Sequence, residues 1–175
     1  MVYNLAMNTS RADYTSPEWN TLQTAVIGTG FYIRKLTPNL FEGWKAKKVA
    51  ESIIDETEEK SSDAFFRQLC DEQDFKSLVP SYLPRDFGTM EVPVLQAIDA
   101  SIDILTAKDP AKLNDFKNLI LYIAEATADS VHGTSHKEEQ AIENIRQVLN
   151  NHKNMGDLSD LTKPFDFELN SQVTK

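Results

Sequence analysis

Between Tyr122 and Ile145 the chain reads YIAEATADSVHGTSHKEEQAIENI, a span that carries Asp129, His132, Ser135, His136, Glu138 and Glu139. Nothing else in the sequence gathers so many groups able to do chemistry. Three uses compete for them. Oxygen and nitrogen ligands on a loop between two helices can wrap a metal ion. A serine near a histidine can supply a nucleophile and its base. A serine followed three positions later by a glutamate can cap a helix.

The metal spacing is unspecific. His132 and His136 are four apart, as in a zinc-binding helix, but Gly133 and Thr134 stand between them where a helix should end. The span also lacks the alternating acids and sixth-position glycine of a calcium loop. Catalysis is weaker still, because Ser135 has no obvious third group to orient a histidine and no nucleophile elbow around it. The cap accounts for more. With Ser135 as N-cap, Glu138 takes the third helical position, and Glu139, Glu143 and Arg146 fall on a solvated face. A structural junction therefore ranks first, metal binding second and hydrolysis third, with Asp129 and His132 uncommitted.

The elements that must position this span read as helices. Ser16-Pro17-Glu18 has the grammar of a helix start, with Ser16 as the side-chain cap, and Trp19, Leu22, Val26 and Ile33 keep helical spacing to about Leu36. Gly28-Thr29-Gly30 interrupts this run; without a preceding strand it is no phosphate loop, and close approach of a neighbouring helix explains it better. A second helix follows in FEGWKAKKVAESIIDE, then an acidic turn DETEEKSSD, then a short helix with Ala64, Phe65, Leu69 and Cys70. An irregular connection anchored by Phe75, Leu78, Tyr82, Leu83 and Phe87 leads to a helix from about Thr89 to Ala107. Asp109-Pro110 opens the next, lined by Phe116, Ile120 and Ile123, and the last runs from about His136 to Asn151. No segment alternates as a strand would, so the expected fold is an all-α, compact multi-helix bundle. Residues 16–152 should form one helical domain, with a tail at 1–15 and a polar, partly disordered or docked tail at 153–175 that carries Phe165 and Phe167.

Sliding the first helical pair onto the last matches Trp19 with Phe116, Leu22 with Leu119, Val26 with Ile123, Val49 with Ile145 and Ile53 with Leu149. This suggests an internal duplication of a helical hairpin, although amphipathic hairpins also align through periodicity alone.

Composition narrows the function classes. The 175 residues are 41% hydrophobic and carry a formal charge of −9, which suits one globular domain and disfavours a polyanion such as nucleic acid. The densest basic run, Lys45, Lys47 and Lys48, reads as a solvated helix face. A single cysteine, Cys70, sits among apolar positions and reads as core. With no apolar run long enough to span a bilayer, a cytoplasmic protein without membrane insertion is expected.

The pattern YIAEATADSVHGTSHKEEQAIENIRQVL resembles the TerB-like family of tellurite-resistance proteins. In that family an alanine-rich helix ends in an acid, a short glycine-containing loop follows, and a capped helix begins with glutamate. The matching residues are Ala124, Ala126, Ala128, Asp129, Gly133, Ser135, Glu138, Ala141, Ile142 and Ile145, while EWNTLQTAVIGTGFYI looks like the corresponding first-half helix. The likeness spans most of Ser16 to Asn150, less so in the middle. It implies a non-catalytic binding or scaffold domain tied to tellurite resistance or stress response, with an unidentified protein partner. Some members bind divalent cations through acids in this loop region, and by position the ligands here would be Asp129 and Glu138. The first half departs from the pattern: Tyr32 or Ile33 stands where an acid would match Asp129, and only Glu42 echoes the second-half pair. The alternative from another class is a metal-dependent enzyme built on His132, His136 and the carboxylates through Glu139.

Overall fold

A computed structural model describes residues 9–37, 40–71, 90–130 and 133–151, with the backbone alone at 40–42 and 44. Among them are six α-helices and no strand: α1 (Ser16–Leu36), α2 (Leu40–Lys60), α3 (Ala64–Leu69), α4 (Glu91–Lys108), α5 (Leu113–Asp129) and α6 (His136–Asn151). Single 3-10 turns precede α1 at Arg11–Asp13 and α5 at Pro110–Lys112. The expected connection from Phe75 to Phe87, the helix start at Thr89, His132, and the tail with Phe165 and Phe167 lie outside the described residues.

The middle helix is α1. Residues 25–30 are buried without a break, so it has solvent on little of its length, and α2, α4, α5 and α6 all pack on it. Its two glycines explain how. A Cβ on Gly28 would come within 2.8 Å of Val94 Cγ2 on α4, and one on Gly30 would come within 2.7 Å of the Ala50 Cβ on α2 and 3.6 Å of Ile123 on α5. Each glycine in a helix interior costs ~1 kcal/mol relative to alanine. Here that cost is offset by backbone-close packing of three helices. Thr29 between them is buried yet satisfied, its hydroxyl donating to the Ala25 carbonyl at 2.7 Å.

Polar contacts at the ends set the directions. Lys108 Nζ meets Glu18 at 2.8 Å, so the end of α4 lies at the start of α1 and the two run antiparallel. The Thr37 hydroxyl donates to Glu138 Oε1 at 3.1 Å, so α6 begins where α1 ends. Lys112, just before α5, pairs with Asp63 beside the start of α3, which closes the opposite end. Asn144, midway along α6, donates to Glu91, the first residue of α4, at 2.8 Å.

Three boundaries differ from the sequence expectation. The cap of α1 is Thr15 rather than Ser16: the Glu18 amide donates to Thr15 Oγ1 at 3.4 Å, and Glu18 accepts from the Thr15 amide at 2.7 Å. Helix α2 continues through much of the supposed acidic turn to Lys60, because Thr57 faces the core with its hydroxyl on Ile53 O at 2.7 Å and Lys60 pairs with Glu56 one turn back at 3.7 Å. Asp109 does not cap α5; its buried carboxylate accepts from Thr9 at 2.5 Å, and the Pro110–Lys112 turn intervenes.

At the end of the bundle where α1 starts, Tyr14, Trp19, Phe65 and Phe66 form a chain of rings, with Trp19 and Phe65 T-shaped at 5.6 Å and Phe65 and Phe66 T-shaped at 5.0 Å. Cys70 is fully buried beside them in the same core, as expected, and burial pushes its thiol pKa up.

Candidate functional site

The chemistry-rich span folds as the junction of α5 and α6. Gly133 adopts φ +94°, which L side chains rarely tolerate, and a Cβ there would meet nothing, so the backbone turn alone calls for glycine. Ser135 then caps α6. Its amide donates to Glu138 Oε2 at 2.8 Å, and the Glu138 amide donates back to Ser135 Oγ at 3.3 Å. The serine hydroxyl thus works as a cap acceptor.

Glu138 is only 3% exposed, and the Thr37 hydroxyl engages its second oxygen. One carboxylate therefore closes the start of α6 and ties it to the end of α1. A buried carboxylate is tolerable when its lone pairs are met in this way.

Asp129 lies elsewhere. It is exposed at the last position of α5 and lines an open groove of about 540 Å³ with Tyr122, Glu125, Ala126, Thr134, Glu139, Ile142 and Arg146. Glu138 is not part of that lining. The two residues expected to share a cation are thus divided between a buried cap and an open groove. Within the groove Arg146 Nη2 meets Glu125 at 2.5 Å, and its Nη1 lies 4.0 Å from Glu143 outside the lining. His136 Nδ1 is 3.7 Å from Glu139, with its ring almost wholly in solvent. Among the described residues no three histidine, cysteine, aspartate or glutamate side chains gather around a common point.

Sequence reasoning missed that Tyr122, Glu125 and Arg146 line one groove with Asp129. A signal was present: Tyr122, Glu125, Ala126 and Asp129 fall at i, i+3, i+4 and i+7, which is one face of a helix. What the sequence does not carry is that Arg146, on the next helix, comes to rest against that face.

Other perturbed groups lie outside the groove. Burial lowers the Lys117 amine and raises the Asp115 carboxyl, the latter aided by Asp63. Tyr32, held between Glu91 and Asn144, is pushed up to about 12, chiefly by burial. The Lys47 and Lys48 amines sit 3.1 and 3.6 Å from Glu51, which makes the basic run a paired, solvated helix face. No helix among the described residues is long and apolar enough to cross a membrane.

No protein-family model, curated protein or solved structure matches the chain.

Proposed function

We propose that the chain is a TerB-like, non-catalytic binding or scaffold domain acting in tellurite resistance or a related stress response, with weak divalent-cation binding at Asp129. The observation that carries this reading is the junction itself. Ala124 and Ala128 are buried on α5, Gly133 takes a positive φ, Ser135 and Glu138 form the capping box, and Ala141, Ile142 and Ile145 are buried on α6. These are eight of the ten positions on which the family resemblance rests, and each of the eight has the environment its residue type requires. An internal duplication draws support from the same source: Trp19 and Phe116, Leu22 and Leu119, Val26 and Ile123, and Ile53 and Leu149 are buried in both members of each pair.

The cation reading narrows to one residue. Glu138 is spent on Ser135 and Thr37, whereas Asp129 is exposed beside Glu125 and Glu139 in the groove. Hard divalent ions require six or more oxygens, most of which would come from water here, so affinity is low. The test is to titrate calcium, magnesium and zinc into wild type, Asp129→Asn and Glu138→Gln, following heat and melting temperature. A specific cation raises the wild-type midpoint through native-state binding. Asp129→Asn should abolish that rise and Glu138→Gln should keep it. Equal, negligible responses in all three proteins discard the cation role, and a binding site that depends on Glu138 reverses the assignment.

A further inference from the structure

From the groove we infer that this domain docks an arginine-bearing, basic segment of a partner protein between α5 and α6. The inference rests on the binding-domain reading above and gives its partner a chemistry. Four observations carry it. Tyr122 is 42% exposed, one of two large hydrophobic residues in solvent among the described residues. Ala126 and Ile142 give the groove an apolar floor beside that ring. Its lining carries three carboxylates, Glu125, Asp129 and Glu139, and one cation, Arg146, which pairs with Glu125. Finally, no hydrogen bond or ion pair joins the Asp129 side chain to another described residue, and it ends a helix whose last turn holds no basic residue.

The C-terminal carbonyls of a helix carry a negative partial charge that favours a cation and opposes a carboxylate. At the end of α5 the sequence puts a carboxylate there and supplies no counter-charge from the last turn. An incoming cation relieves this repulsion, so the free protein is poised for one. Arg146 already displays the fit, because its guanidinium contacts Glu125 on the same face at 2.5 Å.

Arginine suits the groove better than lysine. A planar guanidinium can lie on the tyrosine face while its edge pairs with a carboxylate, whereas an ammonium is a compact, strongly hydrated charge. The net charge of −9 would steer a basic segment toward the surface and repel anionic membranes and nucleic acid.

The test uses full-length protein titrated into a fluorescein-labelled octapeptide of alternating arginine and glycine, read by anisotropy at low salt. An otherwise identical lysine peptide and free spermine serve as comparisons. The arginine peptide should bind at least about threefold more tightly than the lysine peptide, the order expected for one exposed ring contact. Tyr122→Ala should remove that preference and Tyr122→Phe should keep it. Asp129→Asn should weaken binding by roughly two- to fivefold, and Glu59→Gln, an exposed change on α2, should leave it unchanged. The inference is overturned by absence of binding, by equal affinity for both peptides, or by a loss in Glu59→Gln that matches the groove variants. Spermine that competes as well as the peptide assigns the groove to small polycations instead. If the peptide fails while the Asp129-dependent divalent response persists, only this inference falls and the binding-domain reading stands.

Discussion

Thr37 closes α1 and Glu138 opens the first turn of α6, and the hydroxyl of one donates to the carboxylate of the other at 3.1 Å across 101 positions of sequence. The same carboxylate accepts from the Ser135 amide at 2.8 Å, so one buried side chain serves a local cap and a long-range tie. A residue that the family resemblance also offered as a cation ligand is thereby committed to the fold.

The energetic consequence separates the two bonds. Glu138→Ala removes both and should destabilise the protein by about 2 kcal/mol, roughly 1 kcal/mol from the lost cap and a similar amount from the orphaned hydroxyl. Glu138→Gln keeps an acceptor and should stay within about 1 kcal/mol of wild type. Thr37→Val removes the long-range bond alone, and in a urea-denaturation cycle its effect should vanish in the Glu138→Ala background. Additive losses in the double variant would mean that the two groups do not interact.

The close approach at Gly30 makes a second, compensable prediction. An alanine there places a methyl 2.7 Å from the Ala50 Cβ, which has no rotamer through which to withdraw. Overpacking of this kind costs ~1–3 kcal/mol, set against ~1 kcal/mol of improved helix propensity. Gly30→Ala should therefore lower stability, and Ala50→Gly in the same chain should recover part of the loss. At Gly28 the obstacle is one methyl of Val94, stiff at χ1 but able to give by a small χ1 adjustment that the Ala50 Cβ lacks, so Gly28→Ala should be milder. A Gly28→Ala loss larger than that of Gly30→Ala in denaturant melts would refute this ordering.

Legibility of the fold followed how locally each feature is determined. The start of α6 at His136 was readable because Ser135 and Glu138 form a self-contained box three residues apart. The start of α1 was off by one residue because Thr15 and Ser16 both carry a capping oxygen, and only the partner Glu18, three positions from Thr15, decides between them. The end of α2 was missed because acidic residues and serines suggest a turn, while Thr57 facing the core is a tertiary fact. The groove was the least legible feature. It needs the face of Tyr122 and Asp129 to meet Arg146 on another helix, and that meeting depends on packing which periodicity does not encode.

At the other end of α1, Glu18 both completes the Thr15 box and meets Lys108 of α4 at 2.8 Å. The Lys108 hydrogen bond foremost, then the Thr15 amide and hydroxyl, hold the Glu18 carboxyl well below its ordinary 4.5, at about 2. A carboxyl whose folded-state pKa is depressed contributes stability that is fully present above the unfolded value and is lost as pH falls through the folded one. The window here runs from about 4.5 down to about 2. Lys108→Met keeps much of the aliphatic stem but removes the charge that contributes most to the shift. The stability gap between wild type and Lys108→Met should thus be widest above pH 4.5 and should narrow steadily toward pH 2. Because the Lys108 and Glu18 side chains are 32% and 27% exposed, added salt should shrink the gap at neutral pH as well. Urea melts at several pH values check this. A gap that stays constant between pH 7 and pH 2 would show that Lys108 contributes by packing on Tyr14, whose ring its amine approaches at 5.4 Å, and not by its charge on Glu18.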